Sequence, residues 1–348
     1  MLTRGPLHKF VPPYVENKLA ENGIDAARLT IHQSVSMRAK RNDAASNQAM
    51  FMEAQAAGAA NRQVYDCQNQ WQPLIQLVRE EGNPATGDDA ADAVYESAGI
   101  VRDYFKNVLS LNSIDDAGMD IVLNVHFGVS FMNAFWDPQG QMMVFGDGFQ
   151  PIFTSFTKSL DVIAHELAHG VTQFTANLSY EGESGALNEH FSDVFGSAIT
   201  QHHLQQDAGQ ADWLIGDEIM GTHPELSGEA LRSMRAPGTA FENALLGRDP
   251  QPDHMRNAFL GRPDDNHGVH INSGIPNKAF YLTSMSIGTN HAALVWYHAL
   301  RNLWPTATFN DAVTLIVDAA QRLTAQRLIP LGSPQAIRSA FKAVGLPY

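Results

Sequence analysis

Cysteine is almost absent. Cys67 is the only one in 348 residues, so no disulfide can form within the chain, and its thiol reads as buried or idle. Positive charge is also scarce: 23 basic against 37 acidic side chains give a formal net charge of −14. That balance argues against nucleic acid or an anionic membrane as a main partner. No run is long and apolar enough to span a membrane. Residues 1–9 lack the apolar h-region of a secretory signal. The expectation is therefore no signal peptide, with the protein either cytoplasmic or exported by a route not visible in the sequence. There is no internal repeat, and the only biased tract is Ala39 to Arg62, rich in Ala, Asn, Gln and Ser. With 44% hydrophobic residues, the composition is that of an ordinary globular protein. The length allows two domains with cores of their own.

The chemistry gathers between Asp161 and Asp193. His165 and His169 in His165-Glu166-Leu167-Ala168-His169 stand one helical turn apart, so both imidazoles leave the same face and can hold one Zn²⁺. Glu166 lies between them and can act as a base without being a ligand. Val162, Ile163, Leu167 and Val171 supply an apolar face, and Asp161 reads as the N-cap. A zinc that keeps a position open needs a third protein ligand. Glu189, in Gly185-Ala186-Leu187-Asn188-Glu189-His190-Phe191-Ser192-Asp193, lies far enough beyond His169 for a turn and a returning helix. Asp193 shares a face with Glu189 at i+4 and can accept a hydrogen bond from a ligand imidazole. The rival HxxGxxH continuation is excluded, because Thr172 and Thr175 occupy its positions.

These motifs, followed by Asp265-Asn266-His267-Gly268-Val269-His270-Ile271-Asn272-Ser273-Gly274, resemble the thermolysin family of neutral metallopeptidases, from about Tyr65 to Tyr348. The resemblance implies an α+β fold of two domains. A mixed N-terminal domain carries the zinc helix, a mainly helical C-terminal domain follows, and one catalytic zinc lies in the cleft between them. It implies His165, His169 and Glu189 as ligands, Glu166 as general base, Tyr180 and His270 as donors to the developing oxyanion, and Asp265 as the carboxylate orienting His270. Asn133, Ala134 and Trp136, on an edge strand, would receive the substrate. Arg232 would bind the carbonyl beyond the cut. Phe153, Phe156, Val162, Ile215 and Leu231 would wall an apolar pocket favouring a large apolar residue after the cut. The calcium sites depart from the family. Thr200 and Leu214 stand where acidic residues are expected, although Asp161, Asp212 and Asp217 remain. One calcium is an option; the paired site is not expected. The stretch Ala240 to Arg256 is also unlike thermolysin and receives no role.

Along the chain, Pro12-Pro13-Tyr14 reads as an extended turn, Val15 to Asn22 and Asp25 to Arg38 as helices, and Ala39 to Arg62 as a linker. Asp89 to Asn107 reads as a helix with Ala93, Ala98, Ile100, Val101 and Phe105 inward. Ile121 to Val125 and Met142 to Gly148 read as strands. Helices are expected over Asn277 to Ser286, His291 to Asn302, Asn310 to Leu323 and Pro334 to Val344. The division is 1–49 propeptide and linker, 50–180 N-terminal catalytic domain, and 181–348 helical domain.

The N-terminal piece resembles the short propeptide of the protealysin-like branch, which carries a similar Pro-Pro-Tyr-type motif. Phe10, Val11, Pro12, Pro13 and Tyr14 would form the inhibitory motif. Phe10 and Val11 are apolar enough for the specificity pocket, while Pro12 and Pro13 lack the amides an edge strand would bond. Ala49-Met50-Phe51-Met52 is the expected region of self-cleavage. Two readings follow: an active endopeptidase acting on proteins or peptides, or a silent binding protein on the same fold. Loss of Glu166, a zinc ligand or His270 would favour the second, and all are present.

Overall fold

The computed structural model describes residues 8–44, 60–261 and 265–348, so the expected self-cleavage region lies outside the described residues. The chain opens with a short strand, β1 (His8–Lys9), and two helices, α1 (Pro13–Glu21) and α2 (Asp25–Ala44). Tyr14 is already helical, where an extended turn was expected. Pro12 is the extended N-cap and Pro13 the first helical residue, a place where the missing amide costs nothing. The second helix runs past Arg38 to Ala44, since Ala, Lys and Arg are good helix formers.

A six-stranded sheet follows, built from β2 (Arg62–Asp66), β3 (Gln76–Glu80), β4 (Ile121–Val125), β5 (Ala134–Asp137) and β6 (Met142–Phe145), together with β1. The order is β1-β5-β6-β4-β2-β3. β-branched β4 lies inside, parallel to β2 and β6. β5 pairs antiparallel to β6 on one side. On the other, β1 covers what would be its free edge, with His8 opposite Trp136 and Lys9 opposite Phe135.

Between β3 and β4 runs α3 (Asp89–Leu109), started by Asp88, whose side chain accepts from the Ala91 amide. Of the residues expected inward, Ala98, Val101 and Phe105 are buried, while Ala93 and Ile100 are only half-buried. The zinc-motif helix α4 (Leu160–Phe174) packs against β5 and α3. It is buried on every side from Asp161 to Thr172. Its N-cap is Ser159, not Asp161. The Asp161 carboxylate, one place inside the helix, accepts from the Gly216 amide at 2.7 Å.

α5 (Gly182–His203) lies along α4 and begins the second half. Short strand pairs interrupt the helical pattern expected there: β7 (Leu214–Ile215) with β8 (Arg232–Ser233), and β9 (Glu242–Asn243) with β10 (Gly247–Arg248). A helical cluster completes the fold: α6 (Val269–Asn272), α7 (Gly274–Ile287), α8 (Thr289–Leu300), α9 (Phe309–Ala325) and α10 (Ser333–Ala343). Among the described residues no helix is long and apolar enough to cross a membrane.

Candidate active site

α4 and α5 face each other so that His165, His169 and Glu189 meet in a fully buried cluster. His165 Nε2 lies 3.4 Å from Glu189 Oε2, and His169 Nε2 lies 3.5 Å from Glu189 Oε1. Four polar atoms converge here without hydrogen-bond partners among the described residues: both Nε2 atoms, Glu189 Oε2 and Glu166 Oε1. Buried polar groups are ordinarily satisfied, so these are oriented for something that binds them. The donor set of two imidazoles and a carboxylate fits zinc. Ligand atoms of His165, Glu166 and His169 lie within 4.8 Å of one another.

The other ring nitrogens are held in place. His165 Nδ1 meets Asp193 at 2.9 Å, while His169 Nδ1 meets Asn188 at 2.8 Å and Ser192 at 3.0 Å. These contacts free Nε2 of both rings for a metal. Asn188 and Ser192 had no part in the sequence reading, although both lie in its second motif. His190, in that same motif, is no ligand: its nitrogens are taken by Asn277 and the Trp296 indole, each at 2.7 Å. Burial pulls the His169 pKa well below its ordinary value, although Glu189 opposes the fall. Burial also raises the Glu166 carboxyl, to about 8; His165 opposes the rise and Glu189 adds to it.

The Glu166 carboxylate is fixed through its other oxygen, which accepts from the Trp136 amide at 2.7 Å. Trp136 thus enters the site through its backbone. Its ring packs beside Gly170 of α4 and its indole donates to Gln173. Tyr180 donates to Glu189 and stands 3.2 Å from His270 Nε2. Asp265 grips His270 twice, at Nδ1 (2.6 Å) and at the backbone amide (3.1 Å). Arg232 is fully buried and reaches both Asp193 oxygens through Nε, at 3.1 and 3.0 Å.

Residues 8–11 lie across this cluster. The Phe10 amide donates to the Ala134 carbonyl at 3.0 Å. Asn133 accepts from the Val11 amide (2.9 Å) and donates to the Val11 carbonyl (3.1 Å). Arg232 donates to the Phe10 carbonyl (3.1 Å), and His270 Nε2 stands 2.9 Å from the Lys9 carbonyl. The Phe10 ring is edge-on to His165, with centroids 5.1 Å apart. A Cβ on Gly216 would come within 2.9 Å of that ring and 3.4 Å of Leu231. Phe153, Phe156, Val162, Ile215 and Leu231 are all fully buried in the same apolar cluster as Phe10. Tyr14 lies farther along, beside a cavity shared with Asp265.

Residues 44–173 match the family described as "Thermolysin metallopeptidase, catalytic domain", and residues 176–346 match its "alpha-helical domain". The chain belongs to the thermolysin metallopeptidase family. It is accordingly a thermolysin-like metallopeptidase with a mixed N-terminal half and a helical C-terminal half, and the family is zinc-dependent. An "Extracellular metalloprotease" of Pectobacterium carotovorum subsp. carotovorum is 44% identical over 85% of this chain and 84% of its own length. "Protease PrtS" of Photorhabdus sp. (strain Az29) is 39% identical over 90% and 86%. The solved precursor of protealysin, a metalloproteinase from Serratia proteamaculans, shares 37% identity. It aligns with a TM-score of 0.85 over 97% of this chain and 99% of that one.

Proposed function

We propose that this metallopeptidase is made as a self-inhibited precursor and, once released, cuts on the N-terminal side of large apolar residues. The domain division is that proposed from the sequence: 1–49, 50–180 and 181–348. The observation that carries the reading is the seating of His8 and Lys9 as an added strand on β5, with Phe10 buried beside His165 and Val11 held by Asn133. A substrate lying the same way would put its apolar side chain where the Phe10 ring sits. The carbonyl before that residue would face His270, and the carbonyl after it would face Arg232.

His165, His169 and Glu189 would hold the zinc, which supplies Lewis acidity to the carbonyl and makes water a better nucleophile. Glu166, held by the Trp136 amide, takes the proton from the attacking water and returns it to the departing amine. Tyr180 and His270 donate to the carbonyl oxygen as its charge grows, and Asp265 keeps His270 aimed and protonated for that task. Arg232 and Asn133 fix the strand that carries the bond.

The rest of the proposal concerns surroundings. Asp161, Asp212 and Asp217 line one cavity with Thr200 and Leu214. Burial, and then Asp161 and Asp212, push the Asp217 carboxyl up to about 6. We infer one weak calcium there, not a pair. The protease names of the relatives support protein and peptide substrates, and the name of the Pectobacterium protein supports work outside the cell. The silent-binder alternative has no observation in its favour. The test is a digest of a whole proteome with the released enzyme, followed by sequencing of the new termini. The reading expects Leu and Phe to dominate the position after the cut, with chelator abolishing all cutting. A preference for small or charged residues there would refute the specificity.

A further inference from the structure

The stretch 240–256 contains the hairpin of β9 and β10, and α1 of the N-terminal segment rests on it. Asn22 caps α1 and gives its side-chain amide to two carbonyls at the hairpin tip, Ala244 and Leu245, each at 2.9 Å. The hairpin is braced from behind. Leu246 is buried and its amide donates to Asn243 at 2.7 Å, while Leu245 donates to Glu225 at 3.2 Å. Its base is tied to the active site, because Gln251 donates to the His270 carbonyl at 2.8 Å. Tyr14, Lys18, Leu246, Arg248 and Asp265 line a shared cavity of about 300 Å³. The Tyr14 hydroxyl is buried there without a hydrogen-bond partner among the described residues. At the other end of α1, buried Glu16 accepts from Asn133 at 2.7 Å and pairs with Lys9.

We propose that the 242–248 hairpin is the docking site for this chain's own N-terminal helix. It holds α1 so that the strand at His8–Lys9 stays in the cleft. The physical need is clear. Two strand residues on an exposed edge would exchange rapidly with substrate, since a pairing this short is marginal alone. A helix joined to that strand through Phe10 to Pro12 and seated on the hairpin raises the strand's local concentration. Val15 and Leu19 of α1 are buried in the apolar core, and buried Glu16 is paired with Lys9.

This inference rests on the self-inhibition reading, and the experiment separates the two. In the zinc-loaded full chain, Asn22→Ala removes both hydrogen bonds, yet Asn22 leaves with the segment, so the matured enzyme is unchanged. Hydrogen exchange at α1 and at 242–248 should speed up, and the lag before activity should shorten about fivefold. Leu246→Ser, on the hairpin side, should do the same. Phe10→Gly, which empties the pocket, should shorten the lag whether or not the hairpin matters. If Phe10→Gly acts while exchange and lag are unchanged in both Asn22→Ala and Leu246→Ser, the docking proposal falls and self-inhibition stands. If the wild-type chain shows no lag, self-inhibition falls, and the exchange comparison still decides the docking.

Discussion

Glu166 and Glu189 bring the same carboxylate to one cluster, but their second oxygens are held differently. Glu166 is bound by a backbone amide of β5, and Glu189 by the Tyr180 hydroxyl. The first is therefore tied to β5, the second to the wall facing His270. Glu166→Ala should keep stoichiometric zinc and lose roughly 10²–10⁴-fold in kcat; metal analysis alongside turnover checks this, and loss of zinc would reverse the assignment. Glu189→Ala should instead weaken zinc binding itself. His270→Ala should lower kcat far more than it raises KM, because its donation strengthens as charge builds on the carbonyl oxygen. An unchanged kcat would remove His270 from the chemistry. At this scale the sequence spoke through spacing. One helical turn placed His165 and His169 together, and i+4 placed Asp193 below Glu189. The hold of Trp136 on Glu166 was illegible, since a backbone amide leaves no trace in residue identity. So was the quiet role of His190, whose partners Asn277 and Trp296 come from distant helices.

Elements are legible where residue type or spacing marks them and less so where neither does. β4 follows from its β-branched run and α9 from spacing, although α9 also has a Thr308–Asp311 capping box that the sequence reading passed over. The start of α4 was misplaced because Asp161 resembles a cap, yet it is turned inward to the Gly216 amide. The close seat of α4 rests on Gly170, where a Cβ would come within 2.6 Å of Ile114 and 3.1 Å of Trp136. Gly170→Ala would gain up to about 1 kcal/mol of helix propensity but overpack the core at roughly 1–3 kcal/mol. The second effect wins, so the melting temperature should fall. A rise would mean that the contact relaxes freely. A second element-scale device is His126, at the end of β4. It meets Asp147 at 2.9 Å and the α3 N-cap Asp88 at 3.0 Å. The bond to Asp147 raises its pKa to about 9, against partial burial, with Asp88 adding; Lys158 lines the same cavity. The folded pKa lies above the ordinary 6.5. The stabilisation is therefore complete below that value and is lost as pH rises through about 9. Melting temperatures of wild type and His126→Gln should converge across that window; a constant gap would contradict the charge-based tie.

At the scale of the molecule, two halves meet along α4 and α5, and the N-terminal segment joins both: its strand adds to the sheet of the first, and its helix rests on a hairpin of the second. The 240–256 stretch thus has a place in the architecture that its composition does not announce. The hairpin has only two residues in each strand, and its tie to Asn22 reaches more than two hundred residues back in sequence. The proposed inhibitory motif was suggested by its resemblance to a known propeptide and by Pro12 and Pro13, which lack amides. The helix behind it was legible only in part, since Pro13 reads as a breaker although it serves as a first helical residue. With the cleft occupied, the full chain should show no peptidase activity when zinc is first supplied, then gain it after a lag as the N-terminal piece is released. A chain beginning at Phe51 should be active at once, provided that it folds, which circular dichroism can establish. The lag should be independent of protein concentration if the first cut is made within the same molecule, and should shorten as concentration rises if one molecule cuts another. Equal activity of the two chains from the first time point would rule out self-inhibition. Permanent silence of the full chain beside an active shorter one would retain inhibition but assign the release to another protease.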